Sequence, residues 1–440
     1  MKWIKKNVAA FGTITLLATS CQNALDIKPT LILSDQTALT TTTGLQSAVI
    51  GLYRVALRDQ VLGGQSWCTG EYIAGNVRDL GGTSFEETQF INRNLTTNNS
   101  HIDGFWRENY SMIALANNIL KAEPTVTDQD IAKARNQIRG ESLFMRGLGY
   151  FELVRYFGHP TGLGVPILTE PVGDVNFSPK RASVDEVYAR AIADLQQAET
   201  LLPDVNGDGT RAGRLAAQAL LARVYFYKKD YTKAEEYATK VISSNKFQLA
   251  VSTLDNYKAG SLSSEVIFGL ANNPQEEAGY LRGKFQSTNP KMAISDDLWG
   301  RMDTTGKRIQ DVVLQRGGYR AIKKYDVIAG NIPVIRLAEL YLIRAEARLN
   351  NNNTAGALTD YNTTRIRAGL SAATTVTLQS IMRERTTELV FEGDDFHNRK
   401  RAQVQIAGLS WSDNRLYLPI QRREYIVNKN LDQNPGYSKD

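Results

Sequence analysis

A chain of 440 residues, 42% of them hydrophobic, is long enough for one large helical core or two intermixed ones. Its formal charge of +6 falls to +3 if residues 1–20, with Lys2, Lys5 and Lys6, are removed, and no basic run or aromatic-interleaved basic stripe survives, so nucleic acid is not an implied partner. Of its two cysteines, Cys21 follows that leader at the cleavage point and, once lipidated, leaves only Cys68, so no intramolecular disulfide is expected and stability must come from the core.

The leader itself reads as a removable address. Lys2, Lys5 and Lys6 precede an apolar run, Val8 to Ala18, too short to span a bilayer as a permanent helix. Leu17-Ala18-Thr19-Ser20-Cys21 resembles a lipoprotein signal, in which the cysteine is diacylated and becomes the new N-terminus. More than one acyl chain on Cys21 gives stable membrane attachment where a single chain holds only marginally. An ordinary secretory signal with an incidental cysteine is the alternative. Residues 21–43, Thr-rich with Pro29, read as an extended tether, and residues 44–440 as a single helical domain.

Leu45, Val49, Leu52 and Val55 recur on one face of a first helix over 44–58. Glycines at 63, 64, 70, 75, 81 and 82 and the pair Asn98-Asn99 then break the pattern, which predicts a loop-rich insertion near 62–103. Helical spacing resumes with Trp106, Tyr110, Ile113, Asn117 and Leu120 on one face, and continues over 131–157, where the apolar face is wide enough for a buried helix. Val165 to Leu168 predicts a short strand, and Ser183 with Glu186 a capping box for a helix stopped by Pro203. Asp204-Val205-Asn206-Gly207-Asp208-Gly209 matches half of a calcium loop, but Leu215 stands where a bidentate Glu would close the shell, and a polar turn is the better reading.

Residues 214–242 read as two helices joined by the short turn Lys228-Lys229-Asp230. Ala222 and Ala234 are twelve apart, and so are Ala345 and Ala357 in a second predicted hairpin that begins at Pro333 and resumes at Thr354. Small residues at equal spacing let paired helices approach closely, the tetratricopeptide pattern. Between the hairpins a strand over 265–271 and an irregular insertion near 272–332 are expected; a last helix, 378–392, precedes an irregular tail.

Taken in order, Gly140-Glu141-Ser142-Leu143-Phe144-Met145-Arg146, Phe151 to Gly158, Ile335 to Ala347, Arg365-Ile366-Arg367-Ala368-Gly369-Leu370, Glu384 to Gly393 and Asn430 to Tyr437 resemble the SusD/RagB family of nutrient-binding outer-membrane lipoproteins. The resemblance implies a mainly α fold of four tetratricopeptide-like hairpins overlaid by an irregular, loop-rich region with a few short strands. It also implies a lid-like role on a SusC-like TonB-dependent barrel transporter, capture of an oligosaccharide or a peptide, and anchorage in the outer membrane, facing the exterior, through the lipid on Cys21.

Sugar capture asks for flat aromatic faces flanked by hydrogen-bonding side chains. The aromatics outside helical stripes are Trp67 and Tyr72 in the first insertion and Tyr280, Trp299 and Tyr319 in the second, with Asn76, Arg78 and Asp79 as polar candidates. Catalysis finds little support: His101, His159 and His397 are far apart, no zinc-protease, nucleophile-elbow or phosphate-loop motif occurs, and acidic pairs such as Glu86-Glu87 read as solvated charge. A cofactor is not implied. A protein-binding helical scaffold remains the reading from another class.

Overall fold

The amphipathic spacing becomes a stack of helix pairs in the computed structural model, which describes residues 39–172, 177–273 and 278–439. Residues 1–38, including Cys21 and most of the tether, lie outside them. Sixteen α-helices occur among the described residues, with strands confined to three two-stranded sheets. Helix α1 (Thr42–Leu57), capped by the Thr41 side chain, buries Leu45, Val49, Leu52 and Val55 against α4 (Ser100–Ala122) and α5 (Ile131–Phe157). Between α1 and α4 the chain forms two shorter helices, α2 (Gln65–Ile73) and α3 (Phe85–Asn92). From Gly140 to Phe157 every residue of α5 is buried, the surroundings of a central helix.

The stack continues through α6 (Val184–Leu201), α7 (Arg214–Tyr227), α8 (Tyr231–Ser243), α12 (Leu337–Asn350) and α13 (Thr354–Arg367), each packed on the one before. The capping box at the start of α6 is formed, with Ser183 Oγ accepting from the Glu186 N–H and the Glu186 carboxylate accepting from the Ser183 N–H. Ala222, Ala234, Ala345 and Ala357 are all fully buried at the two hairpin contacts, where a larger side chain would push the axes apart. Tyr225 stacks on Tyr237 across the first hairpin, ring centroids 5.5 Å apart. Most buried apolar residues from Leu45 to Leu431 form one contiguous cluster, and Ala345, Ala357, Tyr361, Val376 and Ile381 form a second, smaller one at the other hairpin.

Several expectations are corrected. The first insertion is not a loop: α2 and α3 lie in it, with strand β1 (Val77–Asp79) between them. Gly64, at the start of α2, and Gly75 and Gly81, after α2 and β1, all take positive φ, and the runs between them are too short to display a periodicity. The second insertion is likewise built, from α9 (Tyr280–Phe285), β3 (Met292–Ile294), α10 (Asp296–Arg301), α11 (Lys307–Val312), β4 (Val313–Arg316) and β5 (Tyr319–Ile322).

Val165 to Leu168 is extended but forms no sheet. Pro166 offers no N–H; the Val165 carbonyl accepts from the Ala182 N–H at 3.1 Å, and side chains meet two of the next carbonyls, Tyr110 Oη donating to that of Pro166 at 2.8 Å and Asn117 Nδ2 to that of Leu168 at 2.9 Å. The helix expected from Pro333 begins only at Leu337. Residues 332–336 are instead β6 (Ile332–Arg336), antiparallel to β2 (Val266–Leu270), the strand foreseen near 265–271. The last predicted helix stops early as α14 (Leu378–Glu388), and the tail carries α15 (Asp395–Ala402) and α16 (Arg422–Val427). In the half calcium loop, Asp204 pairs with Arg214 and Asp208 closes a turn on Thr210, while Leu215 is buried in α7.

The charged stretches of the C-terminal half meet in one buried cluster. Arg336 reaches Glu265, Glu388 and Glu392, Arg308 reaches Glu384 and Glu388, Arg367 reaches Glu265 and Glu388, and Lys324 reaches Glu392. Four cations thus face four carboxylates. Burial alone would raise the Glu388 carboxyl, but Arg367, Arg336 and Arg308 hold it well below the usual carboxylate range.

Candidate ligand-binding face

One surface gathers several of the sequence-predicted residues. Strand β1 pairs antiparallel with β3, Val77 opposite Ile294 and Asp79 opposite Met292. Ser295 follows directly and ties the junction down: its N–H donates to the Asn76 carbonyl at 3.0 Å, its Oγ donates to the Gly75 carbonyl at 2.8 Å, and the same Oγ caps α10. Trp299 is therefore carried on a short helix whose start is fixed to β1.

The hairpin β4–β5 completes the surface. Its two-residue turn is Gly317-Gly318, both with positive φ, the conformation that matches the twist of the strands and that favours glycine. Arg78 Nη1 donates to the Gly318 carbonyl at 2.8 Å, joining the turn to β1 across 240 residues of chain. The Arg320 guanidinium lies 4.8 Å from the Trp299 ring centroid and pairs with Asp296 at 2.7 Å. Trp299, Tyr319 and Arg320 are half-buried, and Arg78, Asp79 and Asp296 exposed. Asp79 accepts from the Gly81 N–H and the Thr83 hydroxyl, which turns the following loop. A half-open indole edged by guanidinium and carboxylate groups offers an apolar plate with hydrogen-bonding partners at its rim, suited to a ring with one apolar face.

The other candidates are placed elsewhere. Trp67 is 5% exposed and Tyr72 1%, so both pack the core instead of facing solvent. Trp67 lies against Gly393, where an added Cβ would meet the indole at 2.8 Å; with φ at +71°, glycine is required there twice over. Tyr280 is half-buried and its hydroxyl donates to Glu87, which also receives Lys284, so it closes α9 onto α3. Glu87 is thus a buried partner, not solvated charge.

Asn76 is fully buried beneath the candidate face. Its Nδ2 donates to Glu71 at 2.5 Å and to Asp395 at 3.0 Å, and its Oδ1 accepts from Arg301 at 2.5 Å. It binds α2, α10 and α15 together and so holds Trp299 from below. Burial, then the charge of Asp395, pushes the Glu71 carboxyl up to about 8. Arg320 and Asp296 went unmarked in the sequence, although Gly-Gly between two short β-prone runs is a hairpin signal that would have drawn the eye to Arg320.

A stack of tetratricopeptide-like helix pairs carrying an aromatic-bearing insertion on one side defines a helical binding protein of the solenoid type. The profile described as SusD family matches residues 196–415, and a second, described as starch-binding associating with outer membrane, matches residues 25–226. The chain belongs to the SusD/RagB family. It is 26% identical to the SusD-like protein P2 of Formosa agariphila over 99% of this chain and 100% of that one. Among solved structures, a SusD superfamily protein of Bacteroides thetaiotaomicron is 27% identical and superposes with a TM-score of 0.79 over 90% of this chain and all of that one. A laminarin-binding SusD-like protein, 22% identical, shares the fold with a TM-score of 0.76 over 90% of this chain and all of that one.

Proposed function

We propose that the protein is a cell-surface substrate-binding lipoprotein that captures an oligosaccharide on the Trp299 face and passes it on unaltered. The observation that carries this reading is Trp299 itself, half-open, with Arg320 over its ring and Asp296 at its rim. Membership of the SusD/RagB family and the fold shared with a laminarin-binding protein support a carbohydrate as ligand. Arg78, Asp79 and Tyr319 are the further contacts, while Asn76 positions the face from below. Anchorage in the outer membrane through Cys21, facing outward, and service as the lid of a SusC-like TonB-dependent barrel complete the proposal. A peptide is the second ligand class, because Arg320 and Asp296 could also meet peptide charges.

Calorimetry of the protein purified in detergent, against neutral oligosaccharides and short peptides, tests this. One class binds without product appearing, and Trp299→Ala lowers its affinity about tenfold, the value of one lost stacking plate together with its buried area. Unchanged affinity in Trp299→Ala, or release of product, would overturn it. Co-purification with a barrel protein from outer membranes tests the transporter pairing.

A further inference from the structure

A second cleft, of about 230 Å³, opens between the C-terminal end of α5, the start of α6, the α7–α8 turn, and α15 with the loop after it. It shares no residue with the Trp299 face. Four aromatic rings line it, Tyr188, Tyr227, Trp411 and Tyr417, along with the cations of Arg155, Lys229, Lys400 and Arg401, and no Asp or Glu does.

Two of those cations are neutralised from behind. Arg155 is held by Glu152, and Arg401 pairs with Glu346 at 2.7 Å. Lys400 is not paired with any carboxylate among the described residues. Its Nζ donates to the Arg155 carbonyl at 2.7 Å and sits 4.4 Å from the Tyr417 ring centroid and 4.7 Å from that of Phe396. An ammonium has three N–H groups, so two have no oxygen acceptor among the described residues. Burial, then Arg155, pushes its pKa down to about 7, the direction an ammonium takes when its surroundings supply too little negative charge. Lys229, exposed on the α7–α8 turn, makes no ion pair among the described residues; burial, then Arg401, lowers its pKa, and only the more distant charge of Glu346 opposes them.

His397 supplies the second observation. It is 2% exposed, lines the cleft, and neither ring nitrogen makes a hydrogen bond of good geometry. The neighbouring Arg155 carbonyl, which also accepts from Lys400, nudges its pKa upward. Burial first, then Arg155 and Lys400, keeps the imidazole neutral, with one donor and one acceptor. His159, by contrast, is satisfied by Thr161 and Asn414 and serves as wall.

We propose that this cleft is a second ligand site, taking one sugar ring that carries a single anionic group, a carboxylate or a sulfate ester. The anion lies on Lys400 and Lys229, a ring hydroxyl meets His397, and the apolar face of the ring covers Trp411 and Tyr417. The volume falls below the ~300–1,000 Å³ of drug-sized pockets and suits one ring, not a chain. The inference does not depend on the Trp299 face being a ligand site.

Titration of the full protein in detergent with D-glucuronate, glucose 6-sulfate, D-glucose and a short polyglutamate peptide tests it, with folding of each variant checked by thermal unfolding. At least one anionic sugar binds about tenfold or more tighter than glucose, and Lys400→Met and Trp411→Ala each remove that advantage. If Lys400→Met does not fold, Lys229→Met on the exposed turn takes its place. Equal binding of glucose, retention in both cleft variants, or binding of the peptide alone would overturn the proposal, the last making the cleft a protein-docking site.

Discussion

Arg336 and Glu388 are locked together twice: Arg336 Nη1 lies 2.5 Å from Glu388 Oε1, and its Nη2 donates to the backbone carbonyl of the same Glu388 at 2.8 Å. The first bond neutralises the side chain; the second fixes where α14 ends. Because Arg308 and Arg367 share that carboxylate, removing its charge leaves three guanidinium groups under-compensated in the core.

Glu388→Gln is therefore expected to cost about 3–5 kcal/mol of stability at neutral pH, as when one partner of a buried ion pair is removed. The folded carboxyl titrates well below the 4.5 of an unfolded one, so its contribution is present above pH 4.5 and is lost as pH falls through the folded value. Denaturant unfolding of both forms between pH 3 and 7 checks this: the wild type loses stability on acidification, and the variant, already weaker, loses less.

Glu71 has the opposite sign. Its folded carboxyl titrates at about 8 against 4.5 unfolded, so across that window the folded state holds a proton the unfolded state has released. Its contribution declines as pH rises from about 4.5 through 8 and flattens above. Glu71→Gln, which keeps the shape without the charge, should remove this slope; melting temperatures of both proteins from pH 5 to 9 would converge at the acid end and separate at the alkaline end.

Trp67 and Trp299 make a paired test of core against face. Trp67→Ala is expected to destabilise by about 3–5 kcal/mol, because it opens a cavity beneath Gly393. Trp299→Ala should cost under about 1.5 kcal/mol of stability yet take the ligand affinity with it. Equilibrium unfolding and calorimetry on the same two variants separate these roles, and a reversal of the two outcomes would exchange them.

The fully buried alanines at the hairpin contacts predict a cost for enlargement. Ala222→Leu or Ala345→Leu overpacks a close helix contact, at about 1–3 kcal/mol each. Denaturant midpoints would show it, and stability unchanged in both variants would mean that the helices can part without loss.

Where a helix has a long apolar stripe and a cap, its residues alone announce it, as with Leu45 to Val55, the Ser183 and Glu186 box, and the alanines twelve apart. The family could be recognised from ordered motifs for a physical reason now visible: Arg336, Arg367, Glu384, Glu388 and Glu392 are charges that cannot be exchanged singly once buried together. The candidate face was only half legible. Trp67 and Trp299 look alike in the sequence, each an aromatic in a glycine-punctuated insertion, and composition carries no sign of which way the segment turns. Tertiary structure decided that α2 folds inward against Gly393 while α10, pinned by Ser295 to β1, leaves Trp299 at the surface. It also decided that Lys400, His397 and Trp411 meet α5 and the α7–α8 turn in one cleft. Local spacing encodes which residues share a face; which face meets solvent is set by contacts hundreds of residues apart.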